Sequence, residues 1–142
     1  ARGRLDSLEG ADPVADPATR ATVLVVDDEE LVRSVTRLIL NRLGYETLVA
    51  SDGAEAVALY RQRQGDIAAV LLDMTMPGMS GEATAHALAA VDPGVRIILA
   101  SGYGEEDALS RVSGPSIVGF LPKPFQVPVL REVLERALAD GP

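Results

Sequence analysis

Five short apolar runs punctuate this chain, and each is followed by a stretch whose apolar residues recur at helical spacing. That alternation constrains the fold more than any other feature of the sequence. Thr22–Val26 is a β-branched run that stops at Asp27 and Asp28. Leu31, Val35, Leu38 and Ile39 follow at three- and four-residue intervals, and Gly44 closes the helix they predict. Glu46–Ala50 reads as a second strand. Asp52, with Glu55 three residues on, reads as an N-cap and its reciprocal partner, opening a helix to about residue 64. Residues 68–72 form a third run, wholly apolar and therefore central, which meets Asp73. Residues 74–80 make a loop through Pro77 and Gly78, and Ser80 caps an alanine-rich helix to residue 90. A fourth strand over 96–100 ends at Ser101-Gly102, and a short helix spans 105–112. A fifth strand over 116–121 runs into Pro122-Lys123-Pro124, and a final amphipathic helix follows. Strand–helix units in series give a parallel sheet with right-handed crossovers and helices on both faces, a doubly wound α/β fold.

Ahead of this pattern, residues 1–21 hold Pro13 and Pro17, scattered charges and no apolar period, so they read as a linker or tail, leaving 22–140 as the one domain. The chain begins at Ala1, and we expect it to be processed or cut from a longer protein. At 142 residues it is long enough to bury a core without disulfides or a structural metal.

Composition narrows the chemistry. Thirteen basic and 21 acidic residues leave a net charge of −8. That balance argues against direct nucleic-acid binding and against contact with an anionic membrane. No cysteine is present, so thiolate metal sites and cysteine nucleophiles are excluded. The one histidine, His86, has no partner for a His-based zinc site and reads as a surface residue. No apolar run approaches the ~20 residues of a membrane helix, and no secretory leader is visible; a cytoplasmic setting is the expectation, with a parent chain that is free to be membrane-anchored.

Ligands of open parallel sheets bind beyond the carboxyl ends of the strands. The residues expected there are Asp27 and Asp28 after the first strand, Asp73 after the third, Ser101 after the fourth and Lys123 after the fifth. Taken singly, each aspartate reads as a helix cap or loop polar. Three together repel one another, and a hard cation would remove that repulsion. Carboxylate and carbonyl oxygens with room for water suit Mg²⁺. Lys123 is the one lysine beside twelve arginines, a compact ammonium suited to a point contact with a carboxylate or phosphoryl oxygen. Pro122 and Pro124 flank it and imply a rigid turn, with a cis Lys123–Pro124 bond as one means of aiming it. Met74, Met76 and Met79 read as packing and not as ligands.

Four segments in order carry a resemblance: Val23-Leu-Val-Val-Asp-Asp-Glu-Glu30, Leu71-Leu-Asp-Met-Thr-Met-Pro-Gly-Met-Ser-Gly81, Ile97-Ile-Leu-Ala-Ser-Gly102 and Phe120-Leu-Pro-Lys-Pro-Phe125. Together they resemble the receiver domain of two-component response regulators, over about residues 21–139. The resemblance implies strand order 2-1-3-4-5. It implies phosphorylation of Asp73, with Mg²⁺ held directly by Asp28, Asp73 and the Thr75 backbone carbonyl and indirectly by Asp27. It implies a phosphoryl contact from Lys123 and a switch made by Ser101 and Phe120, acting on the face around the fourth helix and fifth strand. Thr75 and Tyr103 take the positions that tune dephosphorylation. The implied partners are a histidine kinase or a histidine phosphotransfer domain, with a weak homodimer also within the expectation. The segment 97–103 and the later 119–125 are most similar to receivers at the C-terminus of hybrid sensor histidine kinases. On this reading the domain is a phosphoacceptor switch and not a turnover enzyme, even where its parent chain is a protein-histidine kinase. Other readings stand beside it: a small phosphatase working through an aspartyl-phosphate, an FMN module of the same fold, or a phosphorylation-independent docking module. The adjacent acids of 27–30 repel phosphate and argue against the FMN module.

Overall fold

The strand that begins the pattern is enclosed along its whole length. In the computed structural model, which describes residues 21–76, 80–102, 104–112 and 116–139, all five residues of β1 (Thr22–Val26) are buried. The chain continues through α1 (Glu30–Arg42), β2 (Glu46–Ala50), α2 (Gly53–Gln62), β3 (Ile67–Asp73), α3 (Gly81–Val91), β4 (Ile97–Ser101), α4 (Glu105–Arg111), β5 (Ile117–Pro122) and α5 (Val127–Ala139). The tail, Pro77, Gly78, Met79 and Tyr103 lie outside the described residues.

The sheet is parallel throughout, in the order β2-β1-β3-β4-β5. The three near-continuous apolar runs are its three interior strands, and the mixed ones are its edges, as expected for strands covered on both faces. Alternate residues of each strand feed two cores. Leu24, Val26, Val70, Leu72, Ile97 and Leu99 pack with α2, α3 and α4 residues such as Ala56, Leu88 and Ala108. Val23, Val25, Leu71, Ile98, Ala100 and Leu121 pack with Leu40, Leu130 and Leu134 from α1 and α5. Met74 and Met76 are buried within the first core, the packing role expected of them, and His86 is exposed.

Local signals account for the helix ends. Gly44 adopts φ +99°, which favours glycine, just beyond α1. Asp52 accepts the Glu55 N–H at 2.8 Å, and Ser80 accepts that of Ala83 at 3.1 Å. The return half of the Asp52 cap differs from expectation. Glu55 reaches one residue further back, accepting from both the N–H and the hydroxyl of Ser51.

A second difference concerns α1. The apolar repeat that reveals the helix is not its core face. Leu31, Val35 and Leu38 are 75%, 45% and 61% exposed, while Thr36 and Leu40 are buried. Finally, α3 begins so close to the end of β3 that a Cβ on Gly81 would lie 2.6 Å from Met74 Cα and 2.7 Å from the Asp73 carbonyl oxygen. Only glycine fits there, so the start of α3 lies directly against the end of β3.

Candidate functional site

Because β1 is flanked by β2 on one side and β3 on the other, successive connections leave it in opposite directions, and a crevice opens beyond the carboxyl ends of β1 and β3. Asp27 follows β1 and Asp73 ends β3, so the two aspartates meet at that crevice. The chain reaches it again at Lys123, directly after β5. The Lys123 N–H donates to the Ser101 carbonyl at 2.8 Å, and the Lys123–Pro124 bond is cis.

Asp27 is fixed at four points. Its N–H donates to the Ala50 carbonyl (3.1 Å). Its Oδ1 accepts the Glu29 N–H (2.9 Å), its Oδ2 accepts from Lys123 Nζ (3.1 Å), and its carbonyl accepts from Arg33 Nη1 (2.8 Å). Lys123 Nζ also lies 3.5 Å from Asp73 Oδ1, which accepts the Thr75 N–H at 3.2 Å. Asp27 and Asp73 are buried; Asp28 is exposed. One carboxylate oxygen from each of the three lies within 4.8 Å of the other two. Asp28, Glu29, Asp73, Thr75, Gly102 and Lys123 line a cavity of about 380 Å³ above them.

The electrostatics follow from this geometry. Burial, reinforced by the Asp27 charge, pushes the Asp73 carboxyl up from 3.8 to about 6, against the lowering pull of the Thr75 amide and Lys123. Burial alone would lower Lys123, but the charges and hydrogen bonds of Asp73 and Asp27 outweigh it and hold its ammonium above the ordinary value. Asp27 and Asp73 therefore share one ammonium, and the Asp28 and Glu29 carboxylates add to the negative charge around the cavity. Hard oxygen donors carrying an excess negative charge, open to water on the Asp28 side, fit Mg²⁺.

Of the residues anticipated from sequence, Asp27, Asp28, Asp73, Thr75 and Lys123 come together around this cavity. Ser101 is buried at the end of β4, next in line after Ala100, which pairs with Asp73. Phe120 lies lower on β5, opposite Leu99 and half-buried against the first core, away from the cavity. Tyr103 falls outside the described residues. Sequence reasoning missed Glu29, Gly102 and Arg33. For Arg33 a signal existed, a cation early in a helix where the helix dipole favours acids.

A second concavity adjoins the first. Leu31, Val32, Val35, Thr36, Pro124 and Phe125 line an apolar groove of about 300 Å³, and Lys123 borders both it and the acidic cavity.

Comparison with known proteins agrees with this geometry. Residues 23–135 fit the family described as the response regulator receiver domain. The chain is 33% identical over 115 residues to the chemotaxis protein CheY of Thermotoga maritima, covering 80% of this chain and 94% of that one. It is 34% identical over 125 residues to the sensor kinase CckA of Brucella abortus, covering 85% of this chain but only 13% of the kinase's length. Among solved structures, a response regulator receiver domain protein from Clostridium thermocellum superposes with a TM-score of 0.79 at 26% identity, over 84% of this chain and 95% of that one.

Proposed function

Since this chain belongs to the response regulator receiver family and serves two-component phosphorelay signalling, we propose that Asp73 is the carboxylate that takes the phosphoryl group. The observation that carries this reading is the setting of Asp73: a buried carboxylate at the floor of the acidic cavity, 3.5 Å from the one ammonium there. A carboxylate oxygen of Asp73 attacks the phosphorus of a phosphohistidine; the P–N bond breaks and the imidazole leaves with the electron pair. Both reactants are negative, so the ammonium of Lys123 offsets charge on the transferring group. Asp28, Asp73 and the Thr75 carbonyl would hold Mg²⁺, with Asp27 acting through water. When bound, the ion neutralises phosphoryl oxygens and keeps Asp73 ionised. Asp27, fixed at four points, keeps Lys123 aimed at the site.

The acyl phosphate adds charge and acceptor oxygens next to the end of β4. Ser101 and Phe120 are the proposed switch, carrying that change to the face formed by α4 and β5. Thr75, exposed at the cavity rim, and Tyr103 are the residues proposed to set water's approach to the new bond. The donor is a histidine kinase or histidine phosphotransfer domain. The apolar groove on α1 supports a protein donor, because Lys123 joins it to the cavity and a protein seated there would present its histidine to Asp73. Likeness to a sensor kinase supports a hybrid-kinase parent, within which 22–140 would be the receiver unit.

The test is phosphorylation with a small acyl phosphate and Mg²⁺, read by intact mass. The wild type should gain one phosphoryl group and Asp73→Ala none. A phosphoryl adduct on the Asp73→Ala protein would refute the site.

A further inference from the structure

We propose that Arg33 is a positioning residue of the acidic site: it fixes the peptide joining Asp27 to Asp28 and so aims the Asp28 carboxylate at the metal. The proposal rests on the metal-binding reading of Asp27, Asp28 and Asp73 given above. Asp28 is the exposed member of the trio, whereas Asp73 and Asp27 are anchored by burial and by Lys123. Its direction depends on the backbone that carries it. A peptide unit is planar, so holding the Asp27 carbonyl sets the plane of the 27–28 peptide and the position of the Asp28 Cα. A hydrogen bond that holds this unit is the 2.8 Å contact from Arg33 Nη1 to the Asp27 carbonyl.

The local sequence leaves this junction without a capping side chain. α2 and α3 begin on residues whose side chains accept a hydrogen bond from the first turn, Asp52 and Ser80. α1 begins at Glu29, which makes no such bond. Arg33 holds the junction through its side chain: beyond the ordinary helical bond from its N–H to the Glu29 carbonyl at 3.0 Å, the guanidinium, leaning toward the helix N-terminus as helical side chains do, reaches the Asp27 carbonyl. A cation at this place works against the helix dipole. Its contact goes to a carbonyl, not to a carboxylate, so its role is geometric more than charge-neutralising.

Geometry and charge predict opposite signs, which makes the proposal testable. Arg33→Met removes the donor and a positive charge while keeping an apolar stem. If Arg33 acted only as a charge, its loss would tighten binding of a divalent cation. If it positions Asp28, binding should weaken by ~10-fold, the lower range for residues that orient metal ligands. Arg33→Lys keeps the charge and one donor and should recover most of the affinity. Titration calorimetry of the metal-free protein with Mg²⁺ measures both. In the absence of metal, amide exchange at Glu29, whose N–H donates to Asp27 Oδ1, should speed up in Arg33→Met while the β1 amides stay protected. Equal or tighter Mg²⁺ binding by Arg33→Met, or unchanged exchange at Glu29, overturns the proposal. A wild type that binds no Mg²⁺ overturns the metal reading itself, whereas Glu29 exchange tests the Arg33 contact independently of it.

Discussion

At Asp73 the fold holds a carboxyl group where its charge is disfavoured, and that has a consequence for stability. The group titrates near 3.8 in an unconstrained chain and at about 6 here, with burial the main cause. The folded state therefore binds this proton more tightly than the unfolded state. The resulting stabilisation is fully present below pH 3.8 and is lost as pH rises through 6. For a group this buried the difference amounts to on the order of 2–3 kcal/mol. Asn is a neutral isostere of the protonated acid. Asp73→Asn should thus melt higher than the wild type at pH 7.5 without metal, by ~5–10 °C. The gap should close as pH falls toward 4. Comparing the two proteins cancels the contributions that both share. Thermal scans across that range check it; a gap independent of pH, or a less stable Asn variant, would show that the Asp73 charge is not held at a cost. The placement of Asp73 at the cavity was legible because it ends an apolar strand, but its elevated pKa was not. That depends on Asp27 and on the depth of the crevice, which only the folded chain brings together.

Among the elements, α1 separates what periodicity can reveal from what it cannot. Leu31, Val35 and Leu38 recur at helical spacing and correctly indicate a helix, yet they lie on its exposed side. Periodicity reports that apolar residues share a face; it does not say what covers that face. The sheet is covered instead by Leu40 and the small buried Thr36, with Ile39 at the margin of that core. On the function proposed above, this exposed apolar stripe beside the acidic cavity is the surface that meets a protein donor. The element boundaries were otherwise legible to within a residue or two, because Gly44, Asp52 and Ser80 stop or start helices by local geometry. The stripe leads to a prediction that separates two kinds of donor. Leu31→Gln with Val35→Gln keeps the charge and leaves both cores untouched. Phosphoryl transfer from a phosphohistidine protein should slow by ~10-fold or more, consistent with ~1–2 kcal/mol of lost contact. Transfer from a small acyl phosphate should be unchanged, since that donor needs only the cavity. Rapid-quench rates with both donors decide the matter, and equal slowing with both would place the effect in the cavity and not in docking.

Across the whole molecule, the site exists only when the sheet is complete. Asp27 and Lys123 are 96 residues apart and meet because β1 and β5 end at the same edge of one sheet. An unfolded chain holds no such cluster, so a cation that binds here binds the native state alone and stabilises it by mass action. The net charge of −8 adds to this, since self-repulsion is part of what a bound divalent cation relieves. With Mg²⁺ at about 100 times its dissociation constant, the gain is ~2.7 kcal/mol, a rise of several degrees in melting temperature. Asp28 is exposed and lines the cavity without entering either core, so Asp28→Ala should fold normally. Without metal it should melt at the same temperature as the wild type or slightly above it, because one of three mutually repelling carboxylates has gone. With Mg²⁺ its rise should largely disappear. The two effects have opposite signs in one variant, which a general loss of stability could not produce. A calorimetric scan of both proteins with and without Mg²⁺ measures them together, and a full metal-dependent rise in Asp28→Ala would remove Asp28 from the ligand set.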